Sequence, residues 1–231
     1  MIPEERKFRH EFKYLISRSE LAHLKMRMGA LMRPDPHVDG NGFYHISSLY
    51  FDDLDNTCYF ENESGTDPRE KFRIRIYNGS PSSIHLECKR KERGKVLKTA
   101  CSLTREQADL LVGGKTVPDI AGQDPVLRKL TMLMMTRGMR PVIIVDYDRI
   151  PFVCSTGNVR ITLDMNLASS SDVGSFFDGA ALRRPVLPVG QDLLEVKYDE
   201  FLPDQIYRSL QLDNLMATAF SKYYLCRKYT V

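Results

Sequence analysis

On both sides of a short turn, from Lys71 to Lys91, apolar and polar side chains alternate with a period of two. That is the spacing of opposite faces on a β-strand. In the first arm Phe72, Ile74 and Ile76 share one face, and Lys71, Arg73, Arg75 and Tyr77 share the other. In the second, Ile84, Leu86 and Cys88 oppose His85, Glu87, Lys89 and Lys91. Asn78-Gly79-Ser80-Pro81 between them is turn chemistry, so the arms are expected to pair as an antiparallel hairpin. One face of that hairpin is apolar; the other gathers cations around a single carboxylate.

The same alternation predicts further strands over 8–16, 45–51, 96–103, 141–153, 159–167 and 193–199. With the hairpin they make about eight. In the first, Arg9, Glu11 and Lys13 oppose Phe8, Phe12, Tyr14 and Ile16; in the seventh, Arg160, Thr162, Asp164 and Asn166 oppose Val159, Ile161, Leu163, Met165 and Leu167. Helical spacing appears between them. Leu21, Leu24, Met28 and Leu31 form a stripe behind Ser19 as expected N-cap, ended by Pro34 and Pro36. Thr104 with Gln107 forms a capping box for a helix closed by Gly113-Gly114. Asp124-Pro125 opens a longer helix carrying Val126, Leu127, Leu130, Leu133 and Met134 and ending at Gly138. Met132, Met134 and Met135 are expected to pack against the sheet. Residues 54–63 read as a short helix or an irregular connection, with the helix preferred. The tail reads as helix over 203–210 and 217–229, and 169–188 reads as a loop. Without regular βαβ alternation the class is α+β with a mostly antiparallel sheet, and no internal repeat or second domain interrupts residues 1–231.

Composition narrows the picture. A net charge of +3 gives no licence for a nucleic-acid binder on charge alone. Five scattered cysteines without a CxxC pair argue against a disulfide framework and a cysteine zinc site, and fit a cytoplasmic protein. The charged N-terminus has no apolar core behind it, and the longest apolar run, 141–145, is too short to span a bilayer. A soluble protein, not itself membrane-inserted, is expected.

The charged faces then carry the argument. Arg and Lys dominate them, on at least five strands, with single carboxylates on separate strands. Should about eight such strands close into a barrel, the polar face becomes the lumen and the amphipathic helices cover the apolar outside. Cations crowded in a low-dielectric lumen repel and must be offset. A polyanion offsets them, and guanidinium forks at several fixed positions suit a chain of phosphates. A duplex backbone could not reach such cations. Glu11, Glu87 and Glu195 have two readings: internal salt bridges, or hard oxygen ligands for magnesium or manganese with substrate phosphates completing the shell. Asp146 and Asp148 read as salt-bridge partners more readily than as metal ligands. Tyr50, Tyr77 and Tyr147 read as adenine-stacking rings or ordinary packing.

In chain order the segments are Glu11-Phe-Lys13-Tyr14, Ser47-Ser-Leu-Tyr-Phe-Asp-Asp53, Lys71-Phe-Arg-Ile-Arg-Ile-Tyr77, Glu87-Cys-Lys-Arg-Lys91, Tyr147-Asp-Arg149, Val159-Arg-Ile-Thr-Leu-Asp164, Leu193-Leu-Glu-Val-Lys197 and Ser221-Lys-Tyr223. Together they resemble the VTC-type catalytic domain of polyphosphate polymerases, within the CYTH-like triphosphate tunnel metalloenzymes. Glu11-Phe-Lys13 is similar to a shortened form of the ExExK signature of that superfamily, with Arg9 where its first glutamate would stand. The resemblance implies an eight-stranded tunnel that transfers the γ-phosphate of ATP to growing inorganic polyphosphate and releases ADP, with Mn2+ or Mg2+. It implies that Lys13, Arg73, Arg75, Lys89, Lys91, Lys98, Arg149, Arg160, Lys197 and Lys222 hold phosphates. Arg73, Arg75, Lys89, Arg149 and Arg160 would act on the transferred group, and Glu195, Glu11 and Glu87 would serve the metal, Glu195 foremost. The absent first glutamate disfavours a hydrolase, although tripolyphosphatase or nucleoside triphosphatase activity and a silent polyphosphate sensor stay open. Coupling of synthesis to transport would need a separate membrane protein.

Overall fold

A computed structural model describes residues 9–38, 40–179, 181–215, 217, 221–228 and 230. Eight long strands are β1 (His10–Ser17), β2 (Tyr44–Asp52), β3 (Arg69–Tyr77), β4 (Ser80–Glu92), β5 (Lys95–Leu103), β6 (Arg140–Cys154), β7 (Val159–Ser170) and β8 (Gln191–Tyr198). Six α-helices accompany them: α1 (Arg18–Leu31), α2 (Thr57–Glu63), α3 (Arg105–Val112), α4 (Pro125–Arg137), α5 (Asp204–Leu210) and α6 (Lys222–Arg227). The strands follow one antiparallel path, β1-β8-β7-β6-β2-β3-β4-β5. Its two ends meet at a bridge between Arg9 and Val96, whose backbone groups exchange hydrogen bonds of 3.3 and 3.4 Å. The sheet is thus curled into a barrel, as the alternating faces predict.

Register places the charged faces inside. Glu11 and Lys13 stand opposite Lys197 and Glu195, which in turn face Arg160 and Thr162 on β7. On the other wall Arg73 and Arg75 pair with Glu87 and His85, and Lys71 with Lys89. The β3–β4 hairpin turns through Asn78 and Gly79, both at positive φ (52° and 65°), the two-residue geometry whose twist matches paired strands. Phe8, the expected first residue of the opening strand, lies outside the described residues.

The apolar faces look outward, into two clusters. Leu49, Phe72, Ile74, Leu86 and Ile144 share a cluster with Leu111 of α3 and Leu127, Leu130 and Met134 of α4. Ile16, Phe152, Ile161, Leu163, Leu194 and Val196 meet Leu21, Leu24 and Met28 of α1 and Ile206 and Leu210 of α5. Each fully buried side chain of this size contributes roughly 1.5–3 kcal/mol, so the barrel is held chiefly from outside.

Both α3 and α4 keep their expected caps: Thr104 with Gln107, and Asp124 ahead of Pro125 with Gly138 closing the last turn. Four expectations change. The N-cap of α1 is Ser17, not Ser19: Ser17 accepts from the Glu20 amide while Glu20 accepts from the Ser17 amide at 2.6 Å, so the strand runs straight into the helix. Met132 and Met135 face solvent, and Met134 alone of the three is buried. The 169–188 segment is partly strand, since Arg184–Pro185 pairs with Ala168 and Ser169 at the end of β7. Ala217 bridges Tyr14 rather than opening a helix, and α6 begins at Lys222; residues 218–220 and 229 of that expected helix lie outside the described set.

The turn from β6 to β7 relies on Gly157, at φ +73° with the backbone oxygen of Phe201 only 2.5 Å from where a Cβ would sit. Gly157→Ala is therefore expected to destabilise the protein by more than about 1 kcal/mol, because backbone cannot rotate aside as a side chain can. Denaturant titration checks this; an unchanged midpoint would contradict it.

Candidate functional site

Inside the barrel lies a cavity of about 410 Å³, within the range of small-molecule sites. The described residues give it ten cationic lining side chains: Lys13, Lys89, Lys91, Arg73, Arg75, Arg149, Lys197 and Lys222, joined by Arg69 and Lys71. Among the described residues two carboxylates line it, Glu11 and Glu195. Glu87 and Asp164 sit behind the lining, 2% and 0% exposed. Cations outnumber carboxylates even when all four are counted.

The carboxylates divide the cations among themselves. Glu11 receives Lys89 at 2.7 and 3.0 Å and Lys13 at 3.0 Å. Glu195 receives Lys197 at 2.9 Å and Arg149 at 3.3 Å, with Lys13 at 3.7 Å. Lys13 and Lys197 each reach both glutamates, Lys197 at 3.8 Å from Glu11, so the two carboxylates stand side by side. Asp164 takes a two-pronged hydrogen bond from Arg149 at 2.6 and 2.7 Å and the Lys222 ammonium at 2.6 Å. Burial opposes ionisation of Glu11, but Lys89 and Lys13 hold it well below the usual carboxylate range. For Glu195 burial is likewise outweighed, by Lys197, Lys222, Lys13 and Arg149. Both are charged at neutral pH.

Three residues expected at the site stand apart from the cavity lining. Glu87 is engaged as a counter-ion, receiving Arg73 at 2.6 and 2.7 Å and Lys98 at 3.0 Å, so the three glutamates do not form one metal cluster. Among the described residues no group of three His, Cys, Asp or Glu is placed to hold a metal. Lys98 keeps its lumen register but spends its charge on Glu87, its side chain 55% exposed. Arg160 turns to Asp35 at 2.8 Å and to the Tyr44 hydroxyl at 2.9 Å.

Other lining residues had no separate signal in the sequence. Lys71 is the most informative. Its ammonium meets the neutral Asn62 Oδ1 at 2.6 Å and Ser221 Oγ at 3.2 Å, and lies 5.1 Å from the Tyr223 ring centre. Burial, reinforced by Arg69, pulls its pKa down to about 7. Lys89 is also drawn down to about 7, by burial that its Glu11 partner does not fully offset. Tyr147 lies under Arg149 and Lys222, at 5.2 and 4.8 Å, and accepts from Arg75 at 3.1 Å. Tyr50 likewise accepts from Arg73 at 2.8 Å.

Asp52 fixes α6 over this cavity. Fully buried at the end of β2, it accepts the amides of Cys58 and Tyr59 in α2 and the hydroxyl of Tyr223 in α6. Lys222 precedes Tyr223, so the same carboxylate that caps α2 aims the Lys222 ammonium inward. Asp146 and Asp148 form a separate cluster with His45, Ser47 and Arg183.

The sequence profile of the VTC domain matches residues 8–231. The chain belongs to the VTC domain family. No curated protein sequence matches it. Solved structures resemble this VTC domain in fold. A candidate adenylate cyclase from Bacillus halodurans is 16% identical over 90% of this chain and 89% of that one, with a TM-score of 0.52. A candidate adenylyl cyclase from Hippeastrum, described as having a dominant triphosphatase activity, is 12% identical over 96% of both chains, with a TM-score of 0.56. A Vibrio parahaemolyticus candidate adenylate cyclase is 12% identical over 96% and 98%, with a TM-score of 0.51. At these identities the likeness is one of fold alone. Among the described residues no helix of this VTC domain is long and apolar enough to cross a membrane.

A lysine held near 7 changes charge across the neutral range. An anion in the cavity raises that pKa, so binding takes up protons, and affinity falls as pH rises through about 7. Tripolyphosphate affinity is expected to fall more steeply between pH 6 and pH 9, which bracket the Lys71 pKa of about 7 in the ligand-free protein, in the native protein than in Lys71→Met. Lys89 titrates in the same window and leaves part of the slope. Titration calorimetry in two buffers of different ionisation heat measures the proton uptake; identical uptake in both proteins would exclude this role for Lys71.

Proposed function

We propose that residues 1–231 form one catalytic unit, an ATP-dependent polyphosphate polymerase of the cytoplasm. It transfers the γ-phosphate of ATP to the end of a growing inorganic polyphosphate chain and releases ADP. The observation that carries this reading is the excess of cations over carboxylates along the inside of the barrel, a lining that suits a phosphate chain rather than a single anion. Membership of the VTC family supports it, as does the triphosphatase activity of the Hippeastrum protein of like fold.

The donor triphosphate lies against Arg73, Arg75, Arg149 and Lys222, whose positions are set by Glu87, Asp164 and Tyr147. An oxygen of the acceptor's terminal phosphate bonds to the γ-phosphorus as the bond to the β–γ bridging oxygen breaks, leaving that charge on ADP. The attacking oxygen is already anionic, so no base is needed, and the cations neutralise charge spread over the transferred group. Glu11 and Glu195 would hold a divalent cation: they are ionised, adjacent and on the lining, and magnesium and manganese commonly combine one or two carboxylates with substrate phosphate oxygens. Bound there, Mn2+ or Mg2+ supplies further charge neutralisation. Glu87, which sits behind the cavity lining, has no part in that set.

A hydrolase is the second reading. Lys71 and Lys89, held at about 7, are partly neutral at physiological pH and able to accept a proton from water. Incubation with ATP and Mn2+ separates the alternatives: long polyphosphate with ADP is expected, whereas orthophosphate as sole product overturns the polymerase, and tight binding without turnover leaves a sensor. Arg75→Ala and Lys89→Ala are each expected to weaken tripolyphosphate binding about tenfold or more. Their melting temperatures should stay near that of the native protein, because Glu87 keeps Arg73 and Lys98, and Glu11 keeps Lys13.

A further inference from the structure

The barrel wall beside the cavity holds a second cationic position whose partner is part of the chain. Arg160 on β7 is the register neighbour of Lys197, which lines the cavity. Across from it the connection between α1 and β2 is tied to the rim where β6 finishes: Arg33 and Pro34 pair with Val153 and Phe152, and the Asp35 amide donates to Pro151 at 3.2 Å. This brings the Asp35 carboxylate, 5% exposed, onto the Arg160 guanidinium. One Asp35 oxygen takes Arg160 Nη2 at 2.8 Å, and the other takes the His37 amide at 2.9 Å and His37 Nδ1 at 2.7 Å. The fork of Arg160 is only partly used. Its Nη2 also reaches the Tyr44 hydroxyl at 2.9 Å, while its buried Nε has no hydrogen-bond partner among the described residues.

A guanidinium presents several donors in a plane, and a phosphate group presents more acceptor oxygens than one carboxylate oxygen does. We propose that Arg160 and Tyr44 form a phosphate station continuous with the cavity through Lys197, and that Asp35 masks it until a chain long enough to pass Lys197 displaces the carboxylate. The station rests on the reading of the lumen as a phosphate-chain site. It makes Asp35 a determinant of which chain lengths bind best: a triphosphate is held by the cavity cations, and a longer chain must compete with Asp35 for Arg160. Burial of the unreplaced carboxylate is offset by His37, whose side chain is 88% exposed and so free to follow Asp35 outward.

Titration calorimetry with tripolyphosphate and with a medium-length polyphosphate, at fixed salt, tests this. Asp35→Asn is expected to bind the longer chain about tenfold more tightly with tripolyphosphate affinity unchanged, and adding Arg160→Met should abolish the gain. Equal shifts for both ligands, or no gain, overturn the proposal. Should Asp35→Asn fail to fold, Arg160→Met alone decides: loss confined to the longer chain supports the station, and equal loss or none refutes it. Because these are binding measurements, they separate from turnover. The chain-length pattern in a protein that makes no polymer keeps the station and sinks the polymerase, whereas polymer synthesis without the pattern does the reverse.

Discussion

Four carboxylates inside a ring of cations are the constraint on which the rest of the molecule depends. Without Glu11, Glu87, Asp164 and Glu195, the lumen would gather like charges in a medium far less polarisable than water. Each is placed where it serves two or three cations: Asp164 holds Arg149 and Lys222, and Glu87 holds Arg73 and Lys98. The pairing lets the barrel fold while empty, and it keeps the side chains aimed before a ligand arrives. It stops short of neutrality. Lys71, whose partners among the described residues are neutral, shows where the deficit of negative charge is felt.

The architecture is inverted relative to a common globular barrel, with the polar face inside and two apolar clusters outside. The hydrophobic free energy therefore resides where β2–β6 meet α3 and α4, and where β1, β7 and β8 meet α1 and α5. Stability and binding draw on different faces of the same strands. That separation lets single lumen cations be removed without dismantling the core, provided that their carboxylate keeps another partner.

Much of this was legible in the sequence because period-two alternation states which side of the wall a residue faces. It correctly put Glu11, Lys13, Arg73, Arg75, Lys89 and Lys197 inside together. Periodicity does not say how far along the barrel a residue lies, and so Arg160, Lys98 and Glu87 could not be told from cavity-lining neighbours on the same faces. Nor does it reveal a partner from a distant loop, as Asp35 is to Arg160. Lys71 shared the right face, yet its distinction is a lack of nearby carboxylates, which depends on three-dimensional neighbours. Asp52 stood in a legible Asp-Asp pair after a strand, but its link to Tyr223 joins residues 171 positions apart. Caps were read well where box and stop lay within one helix, as in α3 and α4. Ser17 was missed because it belongs to a strand and a helix at once.

The seam between β1 and β5 is where the two ends of the curled sheet meet. Elsewhere neighbouring strands are zipped by ladders of main-chain bonds; here, among the described residues, one bridge, Arg9 to Val96, joins them, and Lys89 on β4 reaches past β5 to Glu11 on β1. A side-chain ion pair between Lys89 and Glu11 thus reinforces the joint between the two ends of the sheet. A guest that attracts the Lys89 ammonium loosens that pair, so the contents of the tube act directly on the joint that closes it.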